Sequence, residues 1–195
     1  MEPIQQSNDS LFFGKKAQDR QGAEPVGLIG HRGSSERYPE NTMAAFEAAR
    51  MEGADGVEVD VRRAKDGRFV AMHDASVDRT TDGNGLVSSL GWEEIQRLDA
   101  GGWKSPCFRG EPVPLLEQVL DAYQSLDLVL LLQCKDMAMA DVGRVAAMID
   151  ARNMLPQCFL FAPPNIIGPM KAMKPELMVI NDGTGHMLRP LVDRA

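Results

Sequence analysis

Two histidines, one arginine, one lysine and four carboxylates stand beside or near short apolar runs of this chain. His31-Arg32-Gly33 follows the run 26–29, and Glu40 lies in Pro39-Glu40-Asn41-Thr42. Glu58-Val59-Asp60 sits within 56–61, His73-Asp74 follows 69–72, and Gln133-Cys134-Lys135 closes 126–132. Strand alternation places Glu58 and Asp60 on one face and Val59 on the other. Two carboxylates held that close repel unless a cation or a proton lies between them. Mg²⁺ or Ca²⁺, which take oxygen ligands, would remove the conflict; an exposed edge strand with two solvated acids is the alternative. The same alternation pairs Gln133 with Lys135. A lysine at the end of so apolar a strand calls for an anion such as phosphate, unless it snorkels past the strand end. His31 and His73 could divide acid and base roles, and Arg32 offers a planar fork to phosphate oxygens. His186 has no comparable setting.

The elements that must position these groups alternate along the chain. Apolar runs at 26–29, 56–61, 69–72, 126–132, 159–161 and 177–180 read as six strands. The run 126–132 is apolar enough to be buried on both faces. Between them, Asn41 or Thr42 can cap a helix carrying Met43, Phe46 and Ala49, stopped by Gly53. Leu115, Leu116, Val119, Leu120 and Tyr123 mark a second helix, and Val142, Val145, Ala146 and Ile149 a third. A weak helix runs over 165–173. Asp66-Gly67 forms a tight turn between the second and third strands. Residues 75–113 are rich in loops, with a short helical pattern at 92–98, and read as an insertion or substrate lid. Strands alternating with helices predict a parallel α/β sheet.

The chain has 195 residues, 44% apolar and 25% charged, with a net charge of -7, which fits one soluble globular domain. The acidic balance argues against a nucleic-acid binder and against docking on anionic membranes. No stretch reaches the length of a membrane span. The polar residues 1–24 lack the apolar core of a signal peptide and read as a flexible leader ahead of a domain over 25–195, so a cytoplasmic location is expected. Cys107, Cys134 and Cys158, odd in number and widely spaced, read as reduced thiols.

Taken together these motifs resemble the glycerophosphodiester phosphodiesterase family over about residues 26–135. The resemblance rests on Gly30-His31-Arg32-Gly33, Pro39-Glu40-Asn41-Thr42, the run from Gly53 to Asp60, Lys65-Asp66-Gly67, His73-Asp74 and Asp78-Arg79-Thr80-Thr81. Leu98-Asp99-Ala100-Gly101 and the run from Pro112 to Glu117 are also similar to the family's insertion and the helix after it. It implies a TIM (β/α)8-type barrel of the PLC-like phosphodiesterase kind, with its site at the C-terminal strand ends. It implies metal-dependent hydrolysis of a glycerophosphodiester to glycerol 3-phosphate and an alcohol. His31 and His73 would be the catalytic acid/base pair. Arg32, Lys135 and Glu40 would bind or support the substrate, and Glu58, Asp60 and position 133 would hold Mg²⁺ or Ca²⁺.

Two departures stand out. Members carry Glu-x-Lys on the fourth strand, where this chain has Gln133-Cys134-Lys135; an amide still offers an oxygen but removes one negative charge. Residues 25–195 are also fewer than the roughly 250 of an eight-unit barrel, so about six βα units are expected, with the C-terminal part missing. A truncated chain, completion by a partner or a second copy, or a degenerate open fold would each account for this. The alternatives to the hydrolase are a weakened or inactive phosphodiester-binding relative and a lysophospholipase D-like activity on the same scaffold.

Overall fold

The computed structural model describes residues 27–181. Leader residues 1–24, Val26 and His186 lie outside them. Six strands form one sheet: β1 (Ile29–Gly30), β2 (Gly56–Arg63), β3 (Phe69–Ala71), β4 (Val129–Cys134), β5 (Cys158–Ala162) and β6 (Met178–Asn181). Five of them run parallel in the order β1-β2-β4-β5-β6. The six strands expected from the sequence are present, but β3 returns antiparallel against β2. The turn over Ala64–Gly67, with Gly67 at φ +86°, closes that hairpin. β2 therefore extends to Arg63, two residues beyond the apolar run, because Val61 to Arg63 pair with Ala71 to Phe69. His31 and His73 are thus not equivalent: one follows a parallel strand, the other a hairpin strand.

The helices follow their apolar spacing. α1 (Met43–Met51) is capped by Thr42, whose hydroxyl accepts from the Ala45 N–H. α2 (Trp92–Ile95) is a single turn closed by Glu94, which accepts from the Gly91 N–H. α3 (Leu116–Tyr123) buries Leu116, Val119, Leu120 and Tyr123, and α4 (Met139–Asp150) buries Val142, Val145, Ala146 and Ile149. Both sets are the i, i+3, i+4, i+7 stripe of a helix facing a core. α5 (Pro164–Met173) has the weakest pattern and contains Pro169, which removes an internal hydrogen bond. None of the described helices is long and apolar enough to cross a membrane.

α1, α3, α4 and α5 pack on one face of the parallel sheet. Val57, Val59 and Val61 of β2, Leu130, Leu132 and Cys134 of β4, and Cys158, Leu160 and Ala162 of β5 join the helix stripes in one continuous core. The opposite face carries Glu58 and Asp60, with Asp60 in register with Gln133, Gln133 with Phe161, and Phe161 with Ile180. The result is an open arc of a TIM-type barrel, with β1 and β6 at its two ends. A second, smaller cluster lies under the segment 75–113: Val77, Val87, Ile95 and Ala100 pack with Ala64, Val70, Met72, Val113 and Leu115.

Candidate active site

The loop after β1 is shaped around Arg32. Arg32 and Asn41 both have positive φ (56° and 57°), and Gly33 follows at 80°. A Cβ at Gly33 would lie 2.5 Å from the Ala45 carbonyl carbon, so only glycine lets this turn press against α1. Non-glycine residues in that region carry local strain, which persists where surrounding contacts fix it. Those contacts are present. The Arg32 N–H donates to Glu58 Oε2 (2.9 Å) and the Asn41 N–H to the Arg32 carbonyl (3.1 Å).

Asp60 is the hub. It is wholly buried. Its Oδ2 accepts from Asn41 Nδ2 (2.8 Å) and lies 3.2 Å from Arg32 Nε, while Oδ1 lies 3.1 Å from Lys135 Nζ. Asn41 is doubly committed, since its Oδ1 accepts from the Asp60 N–H (3.1 Å). A buried carboxylate needs such partners to stay charged. Glu58, two residues back on the same face, lacks that density of cations. Burial, and then the neighbouring Asp60 charge, push its carboxyl up to about 8.

A second chain of contacts reaches His73. Asp74 Oδ1 lies 2.7 Å from His73 Nδ1, and Arg79 Nε donates to Asp74 Oδ2 (2.6 Å). The same guanidinium donates from Nη1 and Nη2 to Glu40 (2.9 and 2.7 Å), and Arg32 Nη1 donates to Glu40 Oε1 (2.9 Å). Hydrogen bonding from Arg79 holds the Asp74 carboxyl far below its ordinary range, helped by His73, and holds Glu40 below its own, helped by Arg32. Arg62 pins the backbone nearby, with Nε donating to the His73 carbonyl (2.9 Å) and Nη1 to Asp136 (2.8 Å). His31 is exposed in the loop after β1, close enough to feel the charges of Arg32, Asp60, His73 and Glu40. Partial burial, then the Arg32 charge, hold its imidazole below the usual range, and the His73 charge pushes the same way.

All eight residues singled out from sequence therefore meet at one end of the arc: His31, Arg32, Glu40, Glu58, Asp60, His73, Gln133 and Lys135. Four others belong with them, and sequence reasoning gave them no role in the site: Arg62, Asp74, Arg79 and Asn41, which was read as a helix-cap candidate beside Thr42 and instead holds Asp60. Asn41, Asp74 and Arg79 lie inside motifs that were recognised, and the signal was an amide or a charge placed in a turn next to apolar positions. Arg62 carried no signal beyond following Val61.

Among the described residues, no group of three or more His, Cys, Asp or Glu side chains is arranged to hold a metal ion. The oxygen donors present are two carboxylates, Glu58 and Asp60, and the amide of Gln133 on the paired strand. That set suits a hard cation with one charge fewer than three carboxylates would give. Glu58 and Asp60 share one face of their strand and Asp60 stands in register with Gln133, so the residues fit a divalent ion of that kind.

A family model described as the Glycerophosphoryl diester phosphodiesterase family matches residues 31–142. A glycerophosphodiester phosphodiesterase of Caldanaerobacter subterraneus subsp. tengcongensis is 45% identical over 108 residues, 55% of this chain and 44% of that protein. One from Bacillus altitudinis is 46% identical over 94 residues, 48% of this chain and 38% of that protein. This chain spans about half the length, or less, of the curated relatives it matches. Among solved structures, a glycerophosphodiester phosphodiesterase from Agrobacterium tumefaciens superposes with a TM-score of 0.72 at 34% identity, covering 79% of this chain and 65% of that one. An Oleispira antarctica phosphodiesterase in complex with the product sn-glycerol-3-phosphate superposes with a TM-score of 0.70 at 30% identity, covering 80% and 65%. The chain belongs to the glycerophosphoryl diester phosphodiesterase family.

Proposed function

We propose that this chain hydrolyses glycerophosphodiesters to glycerol 3-phosphate and an alcohol. The observation that carries the reading is the convergence of Arg32 and Lys135 on one buried carboxylate, Asp60, beside His31 and an oriented His73. A guanidinium has five N–H donors and an ammonium three. Pairing with Asp60 and Glu40 therefore leaves donors of both for the substrate's phosphate oxygens. His31, held below the ordinary imidazole range, takes a proton from the attacking water as the water's oxygen bonds to phosphorus. With Asp74 held against Nδ1–H, His73 in its protonated form carries a second proton on Nε2, which it delivers to the alcohol oxygen as that oxygen's bond to phosphorus breaks. Glu58, Asp60 and Gln133 would hold a divalent ion, Mg²⁺ or Ca²⁺. When bound, such an ion supplies Lewis-acid polarisation of the phosphate. The solved relative that carries sn-glycerol-3-phosphate supports this substrate class.

Gln133 favours a second reading, a phosphodiester-binding relative with little turnover. Hydrolysis of glycerophosphocholine by this chain and by Gln133→Glu, with Mg²⁺, Ca²⁺ or EDTA, separates the two. Turnover by both, stronger in the glutamate variant, is expected. Turnover by the variant alone makes Gln133 the lesion and leaves the native chain a binder. No turnover by either, with any metal, ends the hydrolase reading.

A further inference from the structure

We propose that Arg79 is a positioning residue for the reaction, fixing the tautomer of His73 and the seat of Arg32 with one guanidinium; this rests on the hydrolase reading above. Arg79 lies in the segment 75–113, outside the strands that carry the acid/base and phosphate-binding groups. Its Nε and Nη2 reach the two oxygens of Asp74 (2.6 and 3.2 Å), and its Nη1 and Nη2 reach the two oxygens of Glu40 (2.9 and 2.7 Å). Each carboxylate passes the constraint on. Asp74 contacts His73 Nδ1, and Glu40 accepts from Arg32 Nη1. A planar fork can hold two carboxylates in fixed mutual orientation, which a lysine ammonium, a point charge on a flexible stem, cannot do.

The consequence is specific. With Asp74 clamped as a charged acceptor, Nδ1 keeps its hydrogen and Nε2 is the nitrogen that gains and gives up the catalytic proton, so once that proton has left, the hydrogen of the neutral ring resides on Nδ1. Without the clamp, Asp74 can turn to solvent and the two tautomers of His73 become comparable in population. The segment is itself secured to the loop it serves: Lys104 Nζ donates to the Ser35 carbonyl (2.8 Å), and Glu111 Oε1 accepts from the Ala44 N–H (3.1 Å). The segment that carries Arg79 is therefore tied to the other side of the site at two further points, and the segment 75–113 acts as part of the catalytic apparatus and not only as a cover.

The test uses the full chain with ¹⁵N-labelled histidine, the His73 signals being assigned by loss in His73→Gln. The expected result for Arg79→Ala is a fall in kcat of about 10-fold or more, together with a change of the His73 ring-nitrogen pattern from Nδ1–H to a mixture. Arg79→Lys should lie between the two, and Arg109→Ala, an exposed arginine of the same segment, should match the native chain. If Arg79→Ala does not fold, Arg79→Gln is held to the same criterion. A fall in kcat with an unchanged His73 pattern, or a changed pattern with native kcat, overturns the proposal. If the native chain turns over nothing, the hydrolase reading fails on its own. The ring-nitrogen pattern then decides alone, and no change in Arg79→Ala overturns the role given to Arg79.

Discussion

The parallel arc and the segment 75–113 hold their shape by different means. The arc buries whole faces of regular elements: alternate residues of β2, β4 and β5 meet the stripes of α1, α3, α4 and α5 in one core. The segment has one helical turn and two short 3₁₀ turns, and its apolar cluster is small. Much of its backbone is fixed by side chains instead. Asp99 Oδ1 accepts from the N–H groups of Gly101 and Gly102, Asp78 from Gly85, Asp82 from Asp99, and the Thr81 hydroxyl from Gly83. The site is divided along the same line. The arc supplies Arg32, Glu58, Asp60, Gln133 and Lys135 at its strand ends and loops. The segment supplies Arg79, which orients what the arc presents. A rigid sheet can place several donors at once, whereas a side-chain-pinned loop can reach across them. The price is that the loop depends on contacts worth about 1 kcal/mol each.

The largest effect separating the two regions should come from their cores. Phe46 is wholly buried in the arc, and Phe46→Ala should destabilise the protein by about 3–5 kcal/mol, a large share of the total for a domain of this size. Ile95 is equally buried, but in the smaller cluster under the segment. Ile95→Ala should cost about 2 kcal/mol, the low end for such changes, because a small cluster collapses more readily. Its effect on turnover should exceed its effect on the arc, since Arg79 moves with the segment. Denaturant unfolding followed by tryptophan fluorescence and by backbone circular dichroism checks this. Equal losses for the two variants, with coincident transitions, would mean that arc and segment unfold as one unit.

The same division decides what could be read from sequence. The arc was legible because its signals are periodic: Val142, Val145, Ala146 and Ile149 can only be one face of a helix, and Val57, Val59 and Val61 alternate with Glu58 and Asp60. Where periodicity was short the reading slipped. β1 was expected over 26–29 and is Ile29–Gly30. A backbone bond from Asp55 to the Leu28 carbonyl, and the Leu28 N–H on Asp55 Oδ2, draw Leu28 into the turn side of the pairing. β3 was counted among alternating strands, although the two-residue turn Asp66-Gly67 can join only antiparallel neighbours. The candidate site residues were visible as charged types at the ends of apolar runs. Asp74 and Arg79 were visible only as motif letters, because nothing in spacing says that an arginine five residues on will bridge back to two carboxylates.

A smaller effect tests the arc's own electrostatics. The folded-state value for Glu58, about 8, is above its unfolded value of about 4.3. Between these values the folded state holds a proton that the unfolded state has lost, so stability falls as pH rises from about 5 to about 8. In EDTA the melting temperature should fall across that window, and Glu58→Gln should flatten the fall. Added Mg²⁺ or Ca²⁺ should also flatten it if the ion sits against Glu58. An equal slope in Glu58→Gln would remove Glu58 as its source.

The smallest effect lies where arc and segment meet, at the N-terminus of α1. Thr42 belongs to the arc; its hydroxyl donates to the Pro39 carbonyl (2.7 Å) and accepts from the Ala45 N–H (3.2 Å). Glu111 belongs to the far side of the segment and accepts from the Ala44 N–H, one residue earlier (3.1 Å). Both satisfy orphan donors of one helix end, and a carboxylate there also opposes the positive end of the helix dipole. Thr42→Ala should cost about 1 kcal/mol, with Thr42→Ser nearly neutral because it keeps the oxygen. Glu111→Gln should cost about 0.5 kcal/mol, since an amide still accepts the bond but carries no charge. In a double-mutant cycle read by denaturant unfolding, two caps acting on one frayable turn should couple: once either is lost the turn opens, and the second substitution costs less. A sum that is additive within about 0.3 kcal/mol would show that the segment rests on the arc without sharing its helix end.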